Sequence, residues 1–489
     1  MTRILLRSSK SPLEAASAEE TLQRKIGGQN LGNLVFSDSA YKMLDVPGTE
    51  ITTTGFGTPM PVPEQVNEEY DYLVLPFANA FRPAFRRELD LWTDLIEKLT
   101  IPVMVLSVGA QSSLDYDLER MSPLDATVRR FASAVLDRAP SLGVRGEFTQ
   151  RYLNHLGFKD VEVIGCPSMF RYGRSLSVEK TDSVLGTDAR IGMSTTAGTM
   201  GDLGQVVMDN YRRYPNLRYI AQDIPELETL YWGDTSRAAG QHRQMPVLRS
   251  HPLFEENRVR LHLDPITWIR ELGGYDFVFG TRIHGNVVSL LAGTPAVVMC
   301  HDSRTLELSR YFEIPHRRMT EPPEEFDAAK LYEQADYTAL VKGHDERFER
   351  MMGYVEKHGL PHIFQSDQDG GAAFEQRINS IEFTPAIEAW SDEDGGLGYR
   401  MGWLRESVRS LSHEQQKSQK QQAALEKQVT RLNKQQASLE KRQAALEKQV
   451  TRLNKRLSAV EKEAKMTLYR RVRRAGGRTL RRVGLRNPS

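Results

Sequence analysis

The chain has 489 residues, of which 39% are hydrophobic, enough for two or three domains with a core each. Two cysteines, Cys166 and Cys300, imply no disulfide framework, and a formal charge of +1 excludes a uniformly basic or acidic protein. MTRILLRSSKSP holds only three consecutive apolar residues, and no run of about 18 apolar residues occurs. We therefore expect neither a signal segment nor a membrane span, and we predict a cytoplasmic protein.

Short apolar runs rich in β-branched residues alternate with amphipathic segments over residues 1–390, which is typical of parallel α/β proteins. In chain order, strands are predicted at 2–6, 70–77, 102–108, 141–145, 161–165, 190–195, 217–223, 275–280 and 296–300. Helical periodicity predicts helices at 89–99, 128–139 and 148–157. We predict two Rossmann-like domains, at residues 1–175 and 176–390.

The stretch GTRIHGNVVSLLAG, residues 280–293, follows a buried strand and leads into a helix. In a parallel sheet its loop leaves the carboxyl end of a strand, where open α/β sheets bind ligands. We expect Arg282 and His284, two positions apart in an extended segment, to project to one side, beside a helix N-terminus near Asn286. A guanidinium, an imidazole and a helix start indicate an anion site. The plainer interpretation is that they cap the helix or pair with an acid.

GTRIHGN, followed by LAGTPAVVM and HDSR, resembles the C-terminal signature of the polysaccharide pyruvyl transferase family. QNLGN (29–33), PVMVLSVGAQ (102–111) and the segment 141–170 resemble other parts of the family with lower specificity. The resemblance extends over roughly residues 1–320 and is strongest at 264–316.

The resemblance implies a GT-B-like arrangement of the two domains, with the acceptor side in 1–175 and the donor site in 176–390. It also implies transfer of a pyruvyl ketal from phosphoenolpyruvate, a co-substrate, to a sugar of a cell-surface polysaccharide or its lipid-linked precursor, with no cofactor. Arginine forks suit a phosphate and a carboxylate, so Arg282 and Arg145 are the predicted donor ligands. His284 is the predicted general acid or base, or else a phosphate ligand.

Further donor or acceptor contacts are predicted at Gly280, Gly285, Asn286, Asp302, Arg304, Asn30, Gly32, Gly109 and Gln111. Two of the polar candidates have a plainer interpretation as well. Asp302 is suited to an N-cap, and Arg145 could be a surface residue that caps the helix beginning near Glu147. No Cys/His cluster has metal-ligand spacing, and no Walker A lysine loop occurs, so we expect neither a metal nor phosphoryl transfer from ATP.

Two other functions fit the same sequence. The first is a GT-B glycosyltransferase that uses a nucleotide sugar, because a fold does not determine the donor. The second is a non-catalytic scaffold organised by the C-terminal segment, although the retained Arg282 and His284 argue against lost activity.

After an acidic, glycine-rich linker at 391–400, heptads begin. QAALEKQVTRLNK occurs at 422–434 and again at 443–455, an offset of three heptads. Leucine recurs at one heptad position, and valine or glutamine at another, which predicts a coiled coil over 401–463. Leucine at d, together with the pairs Arg442–Glu447 and Arg456–Glu461, favours a parallel dimer, and a single solvated helix is the alternative.

Residues 464–489 form a predicted basic tail. From Lys465 onward there are nine basic residues and no acid, which leaves residues 1–464 mildly acidic. Arginines alternate with leucine and valine, a mixture suited to an anionic membrane surface, and a solvated tail is the alternative. Nucleic acid is not expected, since aromatic stacking residues are scarce. The protein is thus predicted to be cytoplasmic, with peripheral attachment at the inner membrane surface as the role of this tail.

Overall fold

The computed structural model describes residues 1–56, 60–196, 203–237, 244–389 and 396–482. The chain divides into two units, Met1–Ser391 and Asp392–Ser489. The first unit holds all of the described strands, whereas the described part of the second is one helix, Gly396–Arg482.

The first sheet is built from N-terminal strands, and every pairing in it is parallel. Its strands are β1 Thr2–Leu6, β2 Thr49–Thr53, β3 Tyr72–Pro76 and β4 Val103–Leu106, in the order β2-β1-β3-β4. A parallel pair, β5 Leu142–Val144 and β6 Val161–Val163, continues it through a bridge between Val108 and Val144.

The second sheet is also parallel and is formed by later strands. They are β7 Ile191–Met193, β8 Arg218–Ala221, β9 Val259–Leu261, β10 Phe277–Gly280, β11 Ala296–Cys300 and β12 His316–Arg318. Their order is β12-β11-β10-β7-β8-β9. Two parallel α/β sheets in one compact unit are what a GT-B-like fold with two Rossmann-like halves predicts, so the predicted fold class is confirmed.

Helices connect the strands and cover the sheets. In chain order they are α1 Ala18–Gln23, α2 Gly32–Leu44, α3 Pro63–Glu69, α4 Arg86–Ile96, α5 Asp125–Leu136, α6 Glu147–His155, α7 Leu203–Arg213, α8 Ile224–Trp232, α9 Pro252–Glu255, α10 Pro265–Leu272, α11 Ile283–Leu291, α12 Ser303–Phe312, α13 Ala328–Gln334, α14 Thr338–Lys342, α15 His344–Lys357, α16 Ala372–Asn379 and α17 Gly396–Arg482. Short 3₁₀ helices lie at Pro83–Phe85, Glu119–Leu124, Pro167–Phe170 and Pro323–Phe326.

The first sheet is buried on both faces, because successive side chains of a strand point to opposite sides. Ile4 and Leu6 belong to one buried apolar cluster together with Leu34 of α2. Leu5, between them in sequence, belongs to a second cluster together with Trp92 of α4. This alternation explains why β1 is apolar throughout.

Every predicted strand and helix of the first unit overlaps an observed one. The strands that lie outside the predicted set are β2, β9 and β12, and all three are edge strands. TEITT and HRR are polar and only partly buried, while VRL has just three residues. Because an edge strand needs no long apolar run, hydrophobic periodicity does not reveal it.

Late helices of the first unit pack against the first sheet. The hydroxyl of Tyr354, on α15, donates to the carbonyl of Val105 at 2.7 Å and accepts from the N–H of Gly143 at 2.8 Å. Lys42, on α2, forms an ion pair with Glu375, on α16, at 2.5 Å. The helices α15 and α16 therefore pack against N-terminal elements of the first unit. The domain limits at residues 175, 390 and 400 remain predictions.

The helix α17 begins at Gly396, within the predicted linker, and continues past the predicted end of the coiled coil to Arg482. The end of the predicted basic tail, residues 483–489, lies outside the described residues, as does 390–395 of the linker region. Of the helices in the described part of the chain, none combines the length and apolarity that crossing a membrane requires.

Candidate active site

The loop from β10 to α11 is fixed by backbone contacts. Gly280 has φ +154°, and a Cβ there would lie 1.8 Å from the carbonyl oxygen of Ser194, so only glycine fits. Asn286 is fully buried, and its Nδ2 donates to the carbonyls of Gly280 at 3.1 Å and Arg282 at 2.8 Å. Asn286 therefore braces the loop from within the helix.

The helix α11 begins at Ile283, with Arg282 as its N-cap. The prediction of an extended segment with a helix starting near Asn286 was therefore wrong, and His284 lies in the first helical turn. The apolar run NVVSLL marks only the part of the helix that packs against the sheet, so periodicity placed the helix start too late.

Arg282 forms an ion pair with Asp223, the N-cap of α8. The same carboxylate accepts a hydrogen bond from Nδ2 of Asn30 at 2.7 Å. Oδ1 of Asn30 in turn accepts from the N–H of Gly32 at 2.8 Å. Asn30, Gly32 and Arg282, three predicted site residues, thus meet through an aspartate that was not predicted. Arg282 therefore does pair with an acid, as its plainer interpretation expected.

His284 lies against the start of α2. A Cβ at Gly32 would come within 2.8 Å of its Nδ1, so the glycine allows this approach. Nε2 of His284 is buried and has no hydrogen-bond partner among the described residues. Burial lowers the pKa of the imidazole, and the charges of Arg145, Arg304 and Arg282 lower it further, to about 3. In the protein alone His284 is therefore neutral.

Gly285, the next residue of this turn, also allows a close approach. A Cβ there would lie 2.8 Å from Nε2 of Gln222 and 3.0 Å from Cβ of Ser194. Nε2 of Gln222 donates to Oγ of Ser194 at 2.5 Å. These side chains fill the space beneath the turn, so Gly285 contributes room rather than a ligand atom.

Arg145 follows the carboxyl end of β5 and is only 2% exposed. Its Nε donates to the carbonyl of Ser107 at 3.4 Å, whereas its Nη2 is buried and finds no acceptor in the described chain. A Cβ at Gly109 would lie 2.4 Å from Cδ of Arg145, so this glycine makes room for the side chain. Gly146, not Arg145, is the N-cap of α6, which excludes the interpretation as a surface cap.

Electrostatics make Arg145 unusual for a buried cation. Burial lowers the pKa of its guanidinium, and Arg304 lowers it as well, while Cys166, Glu307 and Asp302 oppose the shift. No carboxylate forms a hydrogen bond or an ion pair with it among the residues that the structure describes. A positive charge is thus held inside the protein without a close counterion.

Asp302 is the N-cap of α12, as its plainer interpretation had it, and it accepts from the N–H of Thr305 at 3.0 Å. Its second oxygen accepts from Nε of Arg304 at 3.1 Å and from Nε2 of Gln111 at 3.2 Å. Asn79, after β3, donates to Oε1 of Gln111 at 2.8 Å. This chain of hydrogen bonds links the loops of both sheets and orients Arg304.

Arg82 and His301 are further residues of the site that were not predicted. Arg82 follows β3, and burial together with Arg304 and Arg145 lowers the pKa of its guanidinium against the effect of Asp302. His301 directly follows β11, and its Nε2 lies 3.5 Å from Oδ2 of Asp302. The position of His301 just beyond the carboxyl end of a strand is the signal that could have identified it.

The site thus combines side chains that follow the carboxyl ends of β3, β4, β5, β8, β10 and β11. We call Arg82, Arg145, Arg282 and Arg304 the arginine cluster. Arg145, Arg282 and Arg304 interact electrostatically with the neutral His284, and the acids Asp223 and Asp302 each already bind an arginine. Such an arrangement is suited to a compact anion with more than one negative charge. Within the described residues, no group of three His, Cys, Asp or Glu side chains could hold a metal ion.

These features define an α/β protein with an arginine-rich site between the loops of two parallel sheets. The family model for polysaccharide pyruvyl transferase matches residues 30–303, more than half of the chain. The chain therefore belongs to the polysaccharide pyruvyl transferase family and is a transferase that modifies polysaccharides. No curated protein matches it.

Several solved structures are similar in overall fold at low identity. The UDP-GlcNAc 2-epimerase of Methanocaldococcus jannaschii, in complex with UDP-GlcNAc and UDP, is 8% identical, with 73% of this chain and 99% of that chain covered and a TM-score of 0.41. Anabaena HepE in complex with UDP-glucose is 13% identical, with 72% and 100% covered and a TM-score of 0.39.

Proposed function

We propose that the protein transfers the pyruvyl group of phosphoenolpyruvate, as a ketal, to a sugar of a cell-surface polysaccharide or its precursor. The observation that carries this proposal is Arg145, a guanidinium that is 2% exposed, has an unpartnered Nη2 and interacts electrostatically with His284. Burying a charge without a counterion is costly unless a ligand compensates it. The phosphate and carboxylate of phosphoenolpyruvate would supply that compensation.

The reaction needs proton transfer as well as anion binding. A proton adds to the methylene carbon of the donor, one sugar hydroxyl attacks the neighbouring carbon, and a second hydroxyl closes the ketal as the C–O bond to phosphate breaks. Of the two hydroxyl protons, one ends on the new methyl group and the other on inorganic phosphate. His284 is neutral in the protein alone, but an imidazole with a pKa of about 3 is a weak base, so accepting a hydroxyl proton requires that donor binding raise this pKa.

Donor binding would raise the pKa of His284. Burial lowers the pKa of the imidazole, and Arg145, Arg304 and Arg282 lower it further, so an anion bound among these arginines would offset their contribution. The imidazole would then be a stronger base, as transfer of a hydroxyl proton requires. The proposed reaction uses phosphoenolpyruvate as a co-substrate and no cofactor.

Thermal unfolding with each candidate donor tests this function against its alternatives. A ligand that binds the folded state raises Tm by mass action, so we expect phosphoenolpyruvate to raise Tm in a concentration-dependent manner. Sulfate at matched ionic strength is the control for general anion effects. Stabilisation by UDP-glucose instead would favour the glycosyltransferase, and stabilisation by neither donor would favour the non-catalytic scaffold.

We further propose that α17 makes the protein a homo-oligomer and that the basic tail binds the anionic inner surface of a membrane, where lipid-linked acceptors are located. In the described part of this tail, Met466, Leu468, Tyr469 and Val472 are exposed beside the arginines. Each basic residue near an anionic surface contributes about 1 kcal/mol.

Co-sedimentation with vesicles tests the membrane proposal. The full chain is expected to bind phosphatidylglycerol vesicles at low salt and to be released at high salt, because the attraction is screened. Deleting 464–489 should abolish this binding. Equal binding to neutral phosphatidylcholine vesicles, or none to either, would contradict it.

A further inference from the structure

The helix α17 exposes a row of apolar side chains, which polar residues interrupt at Gln415, Ser418, Gln422, Gln436 and Gln443. We call it the apolar seam, and it consists of Leu404, Val408, Leu411, Leu425, Val429, Leu432, Leu439, Leu446, Val450, Leu453, Leu457 and Val460. Each of these side chains is between 39% and 64% exposed in the single chain. Leaving so many large apolar side chains in water is unfavourable, and all of them occupy positions a and d of the heptads, which places them on one helix face. The seam therefore requires a partner.

An isolated helix would need another source of stability. Long single helices rely on ion pairs between residues three or four apart. No ion pair lies within residues 425–474 of α17, where the hydrogen bonds between two side chains run from glutamine to glutamate, as between Gln436 and Glu440 at 3.2 Å. This favours a helix stabilised by packing of its seam.

We propose that the partner is a second copy of this chain, aligned parallel and in register. In a parallel pair, position g of one helix faces position e of the next heptad of the other. Arg442 then meets the partner's Glu447, and Arg456 meets the partner's Glu461. Symmetry doubles both contacts, so four pairs of opposite charge flank the seam.

An antiparallel pair is disfavoured by the charges at position e. It would place position e against position e, and from residue 426 to 461 the charged e residues are all acidic, namely Glu426, Glu440, Glu447 and Glu461. Glutamates would then face one another or neutral asparagine and glutamine. Glutamates that face one another repel, so the residues at position e favour the parallel orientation.

The repeated sequence leaves one competing register, a shift of 21 residues that superposes 422–434 on 443–455. The shift keeps two of the four arginine–glutamate pairs and places Arg442 of one chain opposite Leu468 of the other. It also sets Leu457 against Gln436 and Ser418 against Leu439. In register, Leu457 faces Leu457 and Leu439 faces Leu439, so the in-register pair is the more stable of the two.

Beyond Val460 the seam ends, because the next a and d positions hold Ala464, Thr467 and Arg471. Two arginines at an a position repel each other across a parallel pair. The inference therefore confines the paired segment to residues 404–460, and it is independent of the proposed enzymatic function.

Cysteine cross-linking tests partner and orientation. The native cysteines, Cys166 and Cys300, are both buried, so an introduced cysteine is the accessible thiol. Under mild oxidation, full-length L439C, at position d, is expected to become almost entirely a covalent dimer, because parallel in-register d positions face each other. The control K441C, at the outward f position, should remain uncrosslinked. Light scattering of the unmodified chain should give twice the monomer mass.

Register is tested by mixing L425C with a tagged L446C chain after denaturation and refolding. In register, each variant cross-links only with itself, whereas a shift of 21 residues would produce the mixed disulfide. A predominant mixed disulfide would overturn the register. A dimer without the L439C cross-link would overturn the parallel orientation, and a monomer or trimer by light scattering would overturn the dimer.

Discussion

Replacing His284 by glutamine is expected to lower turnover about 10²- to 10⁴-fold while donor affinity changes much less. Glutamine can retain a hydrogen bond to a bound phosphate, but it cannot exchange a proton near neutral pH. The surroundings of His284 support this separate effect on turnover and on donor affinity. Three arginines already supply positive charge, and Nε2 of His284 has no protein partner among the described residues. The variant should be examined by steady-state kinetics and by calorimetry with phosphoenolpyruvate.

A matched control is His316→Gln, because His316 also has its pKa lowered by burial but bonds only to the carbonyl of Ile314, at the far edge of the second sheet. It should retain the turnover of the native protein. If H284Q turned over at nearly the native rate, His284 would be a structural residue, and the proton transfer would have to be assigned to another group, such as His301.

Replacing Arg145 by methionine is expected to weaken phosphoenolpyruvate binding without destabilising the fold. Loss of charge-assisted hydrogen bonds costs about 1.5–3 kcal/mol, roughly a 10- to 150-fold loss of affinity. Stability should stay the same or rise, because a buried cation without a close counterion is replaced by an apolar side chain of similar length. Arg145 is a cleaner probe than Arg282, whose loss would leave Asp223 unpaired.

Arg171→Met provides the matched control. Arg171 is 1% exposed, and none of its guanidinium nitrogens has a hydrogen-bond partner among the described residues, yet its charged neighbours are Asp38 and Lys42 rather than His284. Donor affinity should be unchanged in R171M. Isothermal calorimetry and thermal unfolding measure both effects. Native affinity in R145M, or a large loss of stability there, would show that Arg145 is structural.

The sequence predicted the parts of the site that lie within one short segment. Arg282 and His284 stand in a single loop-and-helix turn, and Arg304 follows the next strand, so strand order alone places them together. Asp223 could not be predicted, because it reaches Arg282 from the end of β8, which only the observed sheet order brings near. Arg82 stands six residues beyond β3, and no local pattern indicates that its side chain joins the arginine cluster.

Prediction of the fold from the sequence was limited in the same way. The apolar strands at the centre of each sheet were predicted, since burial on both faces demands continuous hydrophobic runs. The edge strand β2 was not, because TEITT needs to be apolar on neither face. The glycines were predicted as site residues, but Gly32, Gly109, Gly280 and Gly285 act by making room, which depends on neighbours distant in the chain.

Pyruvyl transfer itself is tested by measuring release of inorganic phosphate from phosphoenolpyruvate with a panel of hexose acceptors. We expect phosphate release that depends on an acceptor with two suitably placed hydroxyl groups, together with formation of an acid-labile pyruvyl ketal on that sugar, and loss of both in H284Q. Absence of acceptor-dependent phosphate release across the panel, in a preparation that is folded and stabilised by UDP-glucose instead, would contradict it.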